Sequence, residues 1–529
     1  MSTRELFLKH NVQAEPLFNQ WYAHPQLIAP ATAAMHVANS HLKIMKSYVM
    51  APMAHASAVK NPAMRGGPFI DYQGQKVGEI RALMERTQKE LSPLLEFAEA
   101  VKSLNEMLAR EAKGYSMEAL YLAVPEPLKG YVELVYGLNH SPSFRVVEGL
   151  LYQSEYYAPS LQSLIISQID GDERPFVFST PRLEDPGRLQ LRLPFEHPGV
   201  DELFRMRSEP RTFAHIKDAL RLPDEHDRLF ASLLTEEAPP RRPRYDGDRV
   251  RVRYFGHACV LVETKEVSIL TDPVVSYHYQ TDFERYTYAD LPEVIDYVLI
   301  THSHADHLMF ETLLPLRHRI KTVVVPKNSG GALEDPSLKL VLRHTGFENV
   351  VEVDDMESIR VGGGSITALP FFGEHADLNI RSKAGYVVRL GGRQVMFVAD
   401  SNNLEYRLYE HIHRAVGDVD VLFVGMECEG APLTWIYGPL FTRPVDRKMD
   451  HSRRLSGSDY ERASEMVERM GCRQAYVYAM GQEPWLCYLT SIQYTEESKP
   501  IVESNKLVAH CRGRGVEAER LFGPKEFLL

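Results

Sequence analysis

The sequence predicts a two-domain α/β protein, with a large N-terminal α+β domain over residues 1–245 and a second α/β domain over residues 246–529. A chain of 529 residues is longer than one hydrophobic core normally needs, so two domains are the natural count. The stretch 236–248 is charged and contains several prolines, so it cannot continue a helix or a strand ladder. We therefore place the linker between the domains there.

The N-terminal half combines helical and strand-like patterns. Residues 80–112 predict a long amphipathic helical region interrupted at Ser92-Pro93, and residues 117–138 carry further helical spacing. The runs 161–166 and 175–178 are typical of short strands. This half of the sequence has no cluster with metal-ligand spacing, no glycine-rich phosphate loop and no repeat period. Its residues predict an α+β domain and no particular chemistry.

The most informative segment of the second domain holds three histidines and one aspartate within six positions, namely His302, His304, Asp306 and His307. The apolar run 295–300 before it predicts a buried strand, and residues 308–314 after it have helical spacing. Residues two apart at a strand end point the same way, so the first two histidines can share one metal. The adjacent Asp306 and His307 diverge at the helix start, which suits a second metal.

The pattern His-x-His-x-Asp-His resembles the signature of the metallo-β-lactamase fold, and the similarity continues in order over residues 249–529. The segment 253–262, with its Gly-His-Ala sequence, is similar to the opening strands of one branch of that fold, and 270–273 is similar to the next strand and turn. Residues 395–400 form an apolar strand ending in Asp400, where the fold carries its metal-bridging aspartate. The resemblance implies an αββα sandwich for the second domain.

Two departures from the hydrolytic members of this fold concern the metal ligands. Where those enzymes place a third histidine for the first metal, this chain has Glu374-His375. Either residue could be a ligand, but not easily both, because neighbours on an extended backbone face opposite sides. The strand predicted over 474–480 then runs into a loop without the histidine that normally completes the second metal site.

Three residues are candidates to replace that last histidine. Glu427 follows the apolar strand 421–424 and is the strongest candidate, Glu429 is weaker, and His451 is the third. Glutamates in place of histidines make the site richer in oxygen ligands. Mixed imidazole and carboxylate ligation with open positions suits iron and oxygen chemistry, whereas zinc hydrolases favour imidazole-dominated sets. The donor set therefore favours a diiron centre.

With these substitutions the chain resembles the diiron β-hydroxylases of nonribosomal peptide assembly, including the one that acts in the chloramphenicol pathway. The resemblance implies two iron ions with an oxo or carboxylate bridge, and O2 as co-substrate. The implied ligands are His302, His304 and Glu374 for one iron, Asp306 and His307 for the other, Asp400 between them, and Glu427 completing or gating the site. Asp400 and Glu427 are thus the candidate catalytic residues.

The same resemblance implies a monooxygenase that hydroxylates the β-carbon of an amino acid held as a thioester on a peptidyl carrier protein. Its implied partners are a carrier domain of a nonribosomal peptide synthetase, an electron donor and a second copy of the chain. The N-terminal domain would serve dimerisation and docking, unless it is an uninvolved accessory domain. The alternative function is a dimetal zinc hydrolase of a phosphodiester, thioester or lactone.

Composition excludes several other classes. The chain carries 60 Lys and Arg against 71 Asp and Glu, a net charge of −11, and its basic residues are dispersed except around 443–454. Nucleic-acid binding needs a concentrated basic face and is not expected. The sequence has no apolar run of about 20 residues and no secretory h-region, so we expect no membrane span and a cytoplasmic protein. The 5 cysteines are scattered, which argues against a disulfide framework.

Overall fold

The computed structural model describes residues 4–240 and 242–529. The predictions for the N-terminal domain and its linker also cover residues 1–3 and Arg241, which lie outside the described residues. No described helix is both long enough and apolar enough to cross a membrane. Residues 242–250 form neither helix nor strand, as the linker prediction requires. The domain boundary itself stays a prediction.

The N-terminal region is a helical layer combined with small antiparallel sheets. Its strands are β1 (Glu5–Leu8), β2 (Val12–Phe18), β3 (Trp21–Tyr22), β4 (Val132–Tyr136), β5 (Pro142–Val146), β6 (Gln162–Gln168), β7 (Leu189–Leu191), β8 (Arg211–Thr212) and β9 (Leu234–Thr235). Its helices are α1 (Pro25–Ile28), α2 (Pro30–His36), α3 (Leu42–Met50), α4 (Pro52–Val59), α5 (Val77–Glu90), α6 (Ser92–Glu111), α7 (Glu148–Leu151), α8 (Pro198–Arg205), α9 (Phe213–Ala219) and α10 (Asp227–Ser232). Within the described residues the strands pair in the orders β8-β1-β9, β3-β2-β6-β7 and β4-β5.

The sequence-based predictions for this region were right for the long helices and wrong in two places. The helical region breaks at Leu91, between α5 and α6, with Pro93 in the first turn of α6 where its missing N–H is tolerated. Residues 117–138 are not a helix, because prolines leave only short 3₁₀ turns before β4. The run 175–178 forms no strand.

The second region has the predicted αββα sandwich. Its strands are β10 (Arg251–Gly256), β11 (Cys259–Glu263), β12 (Ser268–Thr271), β13 (Ile295–Leu299), β14 (Ile320–Pro326), β15 (Val350–Val353), β16 (Ser358–Val361), β17 (Gly364–Leu369), β18 (Gly385–Leu390), β19 (Arg393–Phe397), β20 (Val421–Gly425), β21 (Gln474–Tyr478), β22 (Glu517–Arg520) and β23 (Lys525–Leu528). Its helices are α11 (Phe310–Leu316), α12 (Leu338–Arg343), α13 (Arg407–Val416), α14 (Thr434–Tyr437), α15 (Arg447–Ser452), α16 (Tyr460–Arg469), α17 (Cys487–Thr490) and α18 (Lys499–Gly513).

The sandwich consists of two seven-stranded sheets in the part of the chain that the structure describes. Their orders are β15-β14-β13-β12-β11-β10-β23 and β16-β17-β18-β19-β20-β21-β22. Val260, Tyr386 and Phe423 belong to the apolar core between the sheets. Residues of α13, α16 and α18 cover the outer face of the second sheet, and residues of α11 and α12 cover the first.

Parallel pairing brings the ends of four strands to one edge of the sandwich. β12 pairs in parallel with β13, and β19 pairs in parallel with β20. Asp272, His302, Asp400 and Glu427 each follow one of these strands by one to three residues. The carboxyl ends of parallel strands are where open α/β sheets place their ligands. The fold thus gathers polar residues that are far apart in sequence.

Candidate metal centre

The histidine motif lies in a buried turn directly after β13. The His307 N–H donates to the His304 carbonyl oxygen at 3.0 Å, which closes the turn. His302 and His307 are fully buried and His304 is nearly so. Helix α11 begins only at Phe310, so Asp306 and His307 lie before the helix and not at its start as expected. The strand-to-helix connection itself is confirmed.

Three side chains bring possible ligand atoms together around a first metal position. His302 Nε2 lies 3.0 Å from His304 Nδ1. Glu374 Oε1 lies 3.1 Å from the same His304 nitrogen. These separations are those of ligands that share one ion, because metal–nitrogen and metal–oxygen bonds of about 2 Å place neighbouring ligand atoms about 3 Å apart. The structure therefore brings together the three residues that were predicted as ligands of the first metal.

Asp400 lies between this first metal position and a possible second one. Its Oδ2 lies 2.9 Å from His307 Nε2 and 3.7 Å from His302 Nε2. The other carboxylate oxygen, Asp400 Oδ1, is buried and makes no hydrogen bond within the described structure. A buried polar atom without a partner is costly unless something else binds it. The Asp400 carboxylate is placed to bridge two cations.

Glu374 and His375 both face the cluster, so the premise that these neighbours face opposite sides was wrong, while the choice of ligand between them stays a prediction. That premise assumed an extended backbone, but Glu374 has φ +64°, in the left-handed region, and the segment 371–378 is a turn. His375 stacks on His304 with ring centroids 4.6 Å apart. The ligand atoms of His302, His304 and His375 lie within 4.8 Å of one another. The turn brings two neighbouring side chains to the same side.

A set of residues that sequence analysis did not identify orients the histidines. Asp272 accepts from the Thr301 N–H at 2.7 Å, from its hydroxyl at 2.6 Å and from His307 Nδ1 at 2.9 Å. Because His307 Nδ1 donates to Asp272, Nε2 is the ring nitrogen that would bind a cation beside Asp400. The Thr301 hydroxyl lies 3.0 Å from His302 Nδ1, and the Tyr437 hydroxyl lies 3.2 Å from His304 Nε2.

The electrostatics of this cluster fit bound cations. Burial raises the pKa of Glu374 well above its usual range, and the negative charges of Asp400 and Asp306 raise it further. Burial lowers the pKa of His304 to about 4 and that of His302 well below its usual range. Burial opposes protonation of His307, but the charges of Asp400 and Asp272 raise its pKa well above the usual range, so a bound cation would replace a proton there. The residues present therefore fit a two-metal centre.

Comparison with known proteins identifies the family. Residues 7–239 match the family described as the diiron non-heme beta-hydroxylase N-terminal domain, and residues 268–477 match the beta-lactamase superfamily domain. The 4-amino-L-phenylalanyl-[CmlP-peptidyl-carrier-protein] 3-hydroxylase of Streptomyces venezuelae is 40% identical over 523 residues, which cover 97% of this chain and 98% of that protein. This chain belongs to the diiron non-heme β-hydroxylase family.

Solved structures of the family share the whole architecture. The crystal structure of CmlA, a diiron β-hydroxylase from Streptomyces venezuelae, has a TM-score of 0.94 at 39% identity and covers 99% of this chain and 100% of its own. A mutant of CmlA has a TM-score of 0.91 at 38% identity, with the same coverage. The predicted family, metallo-β-lactamase fold and diiron monooxygenase class are confirmed, and the diiron enzyme is favoured over the zinc hydrolase.

In this diiron β-hydroxylase, His257 is an additional polar neighbour of the cluster. Its Nε2 lies 3.3 Å from Asp306 Oδ2, and its Nδ1 accepts the Gly481 N–H at 3.2 Å. The Nε2 atom is buried and makes no hydrogen bond in the described structure, and the ligand atoms of His257, Asp306 and His307 lie within 4.8 Å of one another. Burial opposes ionisation of Asp306, but the neighbouring His307 and His257 lower its pKa below the usual range. His257 is therefore a further candidate ligand beside Asp306 and His307.

We expect His257→Asn to weaken binding of the second iron by at least about 10-fold, the lower end of the cost of losing even a residue that only orients a metal ligand. Asparagine suits this position because His257 has φ +48°, where asparagine is tolerated, and its shorter side chain does not reach Asp306. Chelator competition followed by iron analysis measures the effect. His411→Asn on the exposed side of α13 is the control and should match the unmodified protein. Equal iron retention in both variants would contradict a role of His257 in metal binding.

Of the three candidates for the missing histidine, Glu427 is near the cluster. Burial raises its pKa well above the usual range, and the charges of Glu374 and Asp400 raise it further. Glu429 and His451 are exposed. Glu427 therefore remains the predicted ligand or gate of the site.

The change Glu427→Gln is expected to keep the fold and both irons while altering the optical and Mössbauer signature of the diferric protein. The amide has the size of the carboxyl group but cannot ionise or bridge. Glu429→Gln, two residues away and exposed, is the matched control, and a surface substitution of this kind usually changes stability by less than about 0.5 kcal/mol. Identical spectra for both variants and the unmodified protein would remove Glu427 from the site.

Proposed function

We propose that this protein hydroxylates the β-carbon of an aminoacyl group held as a thioester on a peptidyl carrier protein. The proposed ligands for the first iron are His302, His304 and Glu374, those for the second are Asp306 and His307, and Asp400 bridges the two. The observation that carries the proposal is Asp400 Oδ2, which lies 2.9 Å from His307 Nε2 and 3.7 Å from His302 Nε2, beside a glutamate at the third-histidine position. The printed name of the Streptomyces relative supports the carrier-bound substrate.

The residues of this chain would prepare the site for that reaction. Bound iron supplies the redox chemistry that O2-dependent hydroxylation needs. Asp272 and Thr301 hold the imidazoles of His307 and His302 in the tautomers that leave their Nε2 atoms free. Burial of the cluster limits access of water to the reacting atoms. Burial and the nearby charges of Glu374 and Asp400 raise the pKa of Glu427, which would complete or gate the site.

The stoichiometry of the reaction requires further partners. One O2 and two electrons with two protons convert a C–H bond into C–OH and release one water, so an external electron donor belongs to the proposal. We also propose the carrier domain of a nonribosomal peptide synthetase as the docking partner and a homodimer as the working assembly. A partner of that kind acts in the cytoplasm, which is the proposed location.

The test is a single turnover of the chemically reduced enzyme with O2. One sample contains a carrier loaded with an aminoacyl thioester, and the other contains unloaded carrier with the same concentration of free amino acid. We expect the carrier-bound group to gain one oxygen atom by mass spectrometry and the free amino acid to stay unchanged. Equal hydroxylation of the free amino acid would remove the carrier requirement. Release of free acid without oxygen incorporation would instead favour a thioester hydrolase.

A further inference from the structure

A small chamber of about 20 Å³ lies where the N-terminal region meets the metal-binding domain. Arg207, just after α8, lines the chamber from the N-terminal region, and Arg319, in the 3₁₀ turn after α11, lines it from the second region. Tyr288 forms another part of the wall. The chamber adjoins a wider cavity of about 470 Å³, with which it shares His10. Two arginines from different regions therefore border one small space.

The guanidinium group of Arg207 is buried and only partly hydrogen-bonded. Arg207 is 6% exposed, and its Nη2 donates to the Val12 carbonyl oxygen at 2.8 Å. Its Nε and Nη1 are buried and make no hydrogen bond in the described structure. The guanidinium carbon lies 4.1 Å from the centroid of the Tyr288 ring, which attracts the cation but does not neutralise it. Arginine keeps its charge in proteins, and a buried charge is costly unless it is paired, so these atoms indicate a bound anion.

Other titratable groups near the chamber respond to positive charge. Burial and the charge of Arg207 lower the pKa of Arg319 to about 10. Burial lowers the pKa of His318 to about 2, and the surrounding arginines contribute to that shift. Burial and the charge of Arg207 also lower the pKa of His10. The positive charge at this junction is therefore not balanced by the described residues around it.

The nearby acidic residues do not supply a buried counter-ion for Arg207. Glu293 lines the chamber and Glu237 lines the wider cavity, but both glutamates are exposed. Glu209 is also exposed and pairs with a different arginine at 3.1 Å. Arg242, a further basic residue at the chamber, is already paired with Asp290 at 2.7 Å. The charges of Arg207 and Arg319 remain for an anion to bind.

The volume of the chamber limits the anion to a small one. A water molecule needs about 10–15 Å³ of such space, so 20 Å³ accepts one particle little larger than water. A chloride ion meets this limit and accepts N–H groups from any direction. A phosphate or sulfate group carries four oxygen atoms around its central atom and needs more room. The chamber therefore favours a halide over a larger oxyanion.

We propose that this chamber binds one chloride ion beside Arg207 and Arg319, and that the ion holds the N-terminal region against the metal-binding domain. Each region contributes one of the two arginines. Without an anion their like charges repel each other across the junction, whereas a bound chloride attracts both. The inference does not depend on the reaction that the diiron centre catalyses.

Bromide in a crystal of the iron-loaded protein tests the site without any substitution. Bromide replaces chloride in halide sites, and its anomalous scattering at its own absorption edge distinguishes it from iron and from water. We expect an anomalous peak inside the chamber, in contact with the Arg207 guanidinium. An ordered water there, with no anomalous signal, would overturn the inference.

Urea unfolding of the iron-loaded protein measures the effect in solution. Sodium chloride is exchanged for sodium gluconate at constant ionic strength, so that general screening stays the same. A ligand that binds only the folded state stabilises it with the logarithm of its concentration above the Kd. The urea midpoint should therefore rise with chloride and with bromide. Equal midpoints in chloride and gluconate, or a larger rise with phosphate at the same ionic strength, would overturn the inference.

Two variants assign this effect to the chamber. Arg207→Met and Arg319→Met remove one charge each and keep a long apolar side chain. Both should weaken chloride binding at least about 10-fold, because hydrogen bonds from charged groups are the stronger ones, while the iron spectrum stays unchanged. Arg205→Met is the matched control, because Arg205 pairs with Glu202 at 3.6 Å and lies outside the chamber lining.

The half-buried position of Arg319 keeps the test decisive if Arg207→Met does not fold. Arg319→Met and the bromide crystal then give the answer. A chloride dependence that persists unchanged in the Arg319 variant, or that is lost equally in the Arg205 control, would overturn the assignment to this chamber.

Discussion

Asp400→Ala is expected to lose one or both irons and to reduce β-hydroxylation by more than 100-fold. Asp400 approaches both ion positions, so without its carboxylate two cations would lie close together with less negative charge between them. Even the loss of a residue that only orients a metal ligand costs about 10- to 100-fold, so the loss of a bridge should exceed that range.

Iron analysis, Mössbauer spectroscopy and single-turnover hydroxylation measure the result for Asp400→Ala. Asp418→Ala is the control, since this aspartate is exposed at the end of α13 and pairs with His413 on the surface. It should retain two irons per chain and full activity. The same retention and activity in Asp400→Ala would refute the bridge.

Glu311→Ala should lower the free energy of unfolding by about 3–5 kcal/mol, the second large effect that we expect. Glu311 lies in α11, directly after the metal motif, and is 1% exposed. Its carboxylate accepts two hydrogen bonds from Arg174 at 2.9 Å and further ones from Tyr22 and Tyr488. The change leaves the Arg174 charge buried with fewer partners, and such a charge is costly. Because Tyr22 and Arg174 belong to the N-terminal region, the two regions would separate more easily.

Urea unfolding followed by tryptophan fluorescence and circular dichroism measures this change. Glu126→Ala is the control, because the Glu126–Lys129 pair lies on the surface with the glutamate side chain 83% exposed. Exposed ion pairs contribute about 0–1 kcal/mol, so the control should unfold almost as the unmodified protein does. A similarly small change in Glu311→Ala would show that the buried network does not join the two regions.

The sequence was sufficient for the parts of the site that are local in the chain. The spacing of the motif from His302 to His307 predicts a two-metal site, and Asp400 and Glu427 each follow an apolar strand. The bridging role of Asp400 and the αββα sandwich came from the resemblance to the metallo-β-lactamase fold. Period and spacing are properties that a single sequence displays directly.

The parts that could not be predicted depend on distant contacts or on unusual backbone geometry. Asp272 lies 35 residues before His307, and Tyr437 lies 133 residues after His304, so no spacing rule connects them. Asp272 did carry one usable signal, since it is an acidic residue at the end of a buried strand. The left-handed backbone at Glu374 turns the side chains of Glu374 and His375 to the same side. A sequence with a non-glycine residue at that position does not indicate this conformation.

The central claim is that a diiron centre in this protein inserts oxygen from O2 into a carrier-bound aminoacyl group. The most direct measurement is a single turnover of the reduced, iron-loaded enzyme with ¹⁸O2 and a loaded carrier, followed by mass spectrometry of the carrier-bound group. The account predicts that the group gains one ¹⁸O atom at its β-carbon and that none comes from labelled water in the converse experiment. A carrier group that gains no label from ¹⁸O2, or is released as free acid carrying oxygen from water, would contradict it.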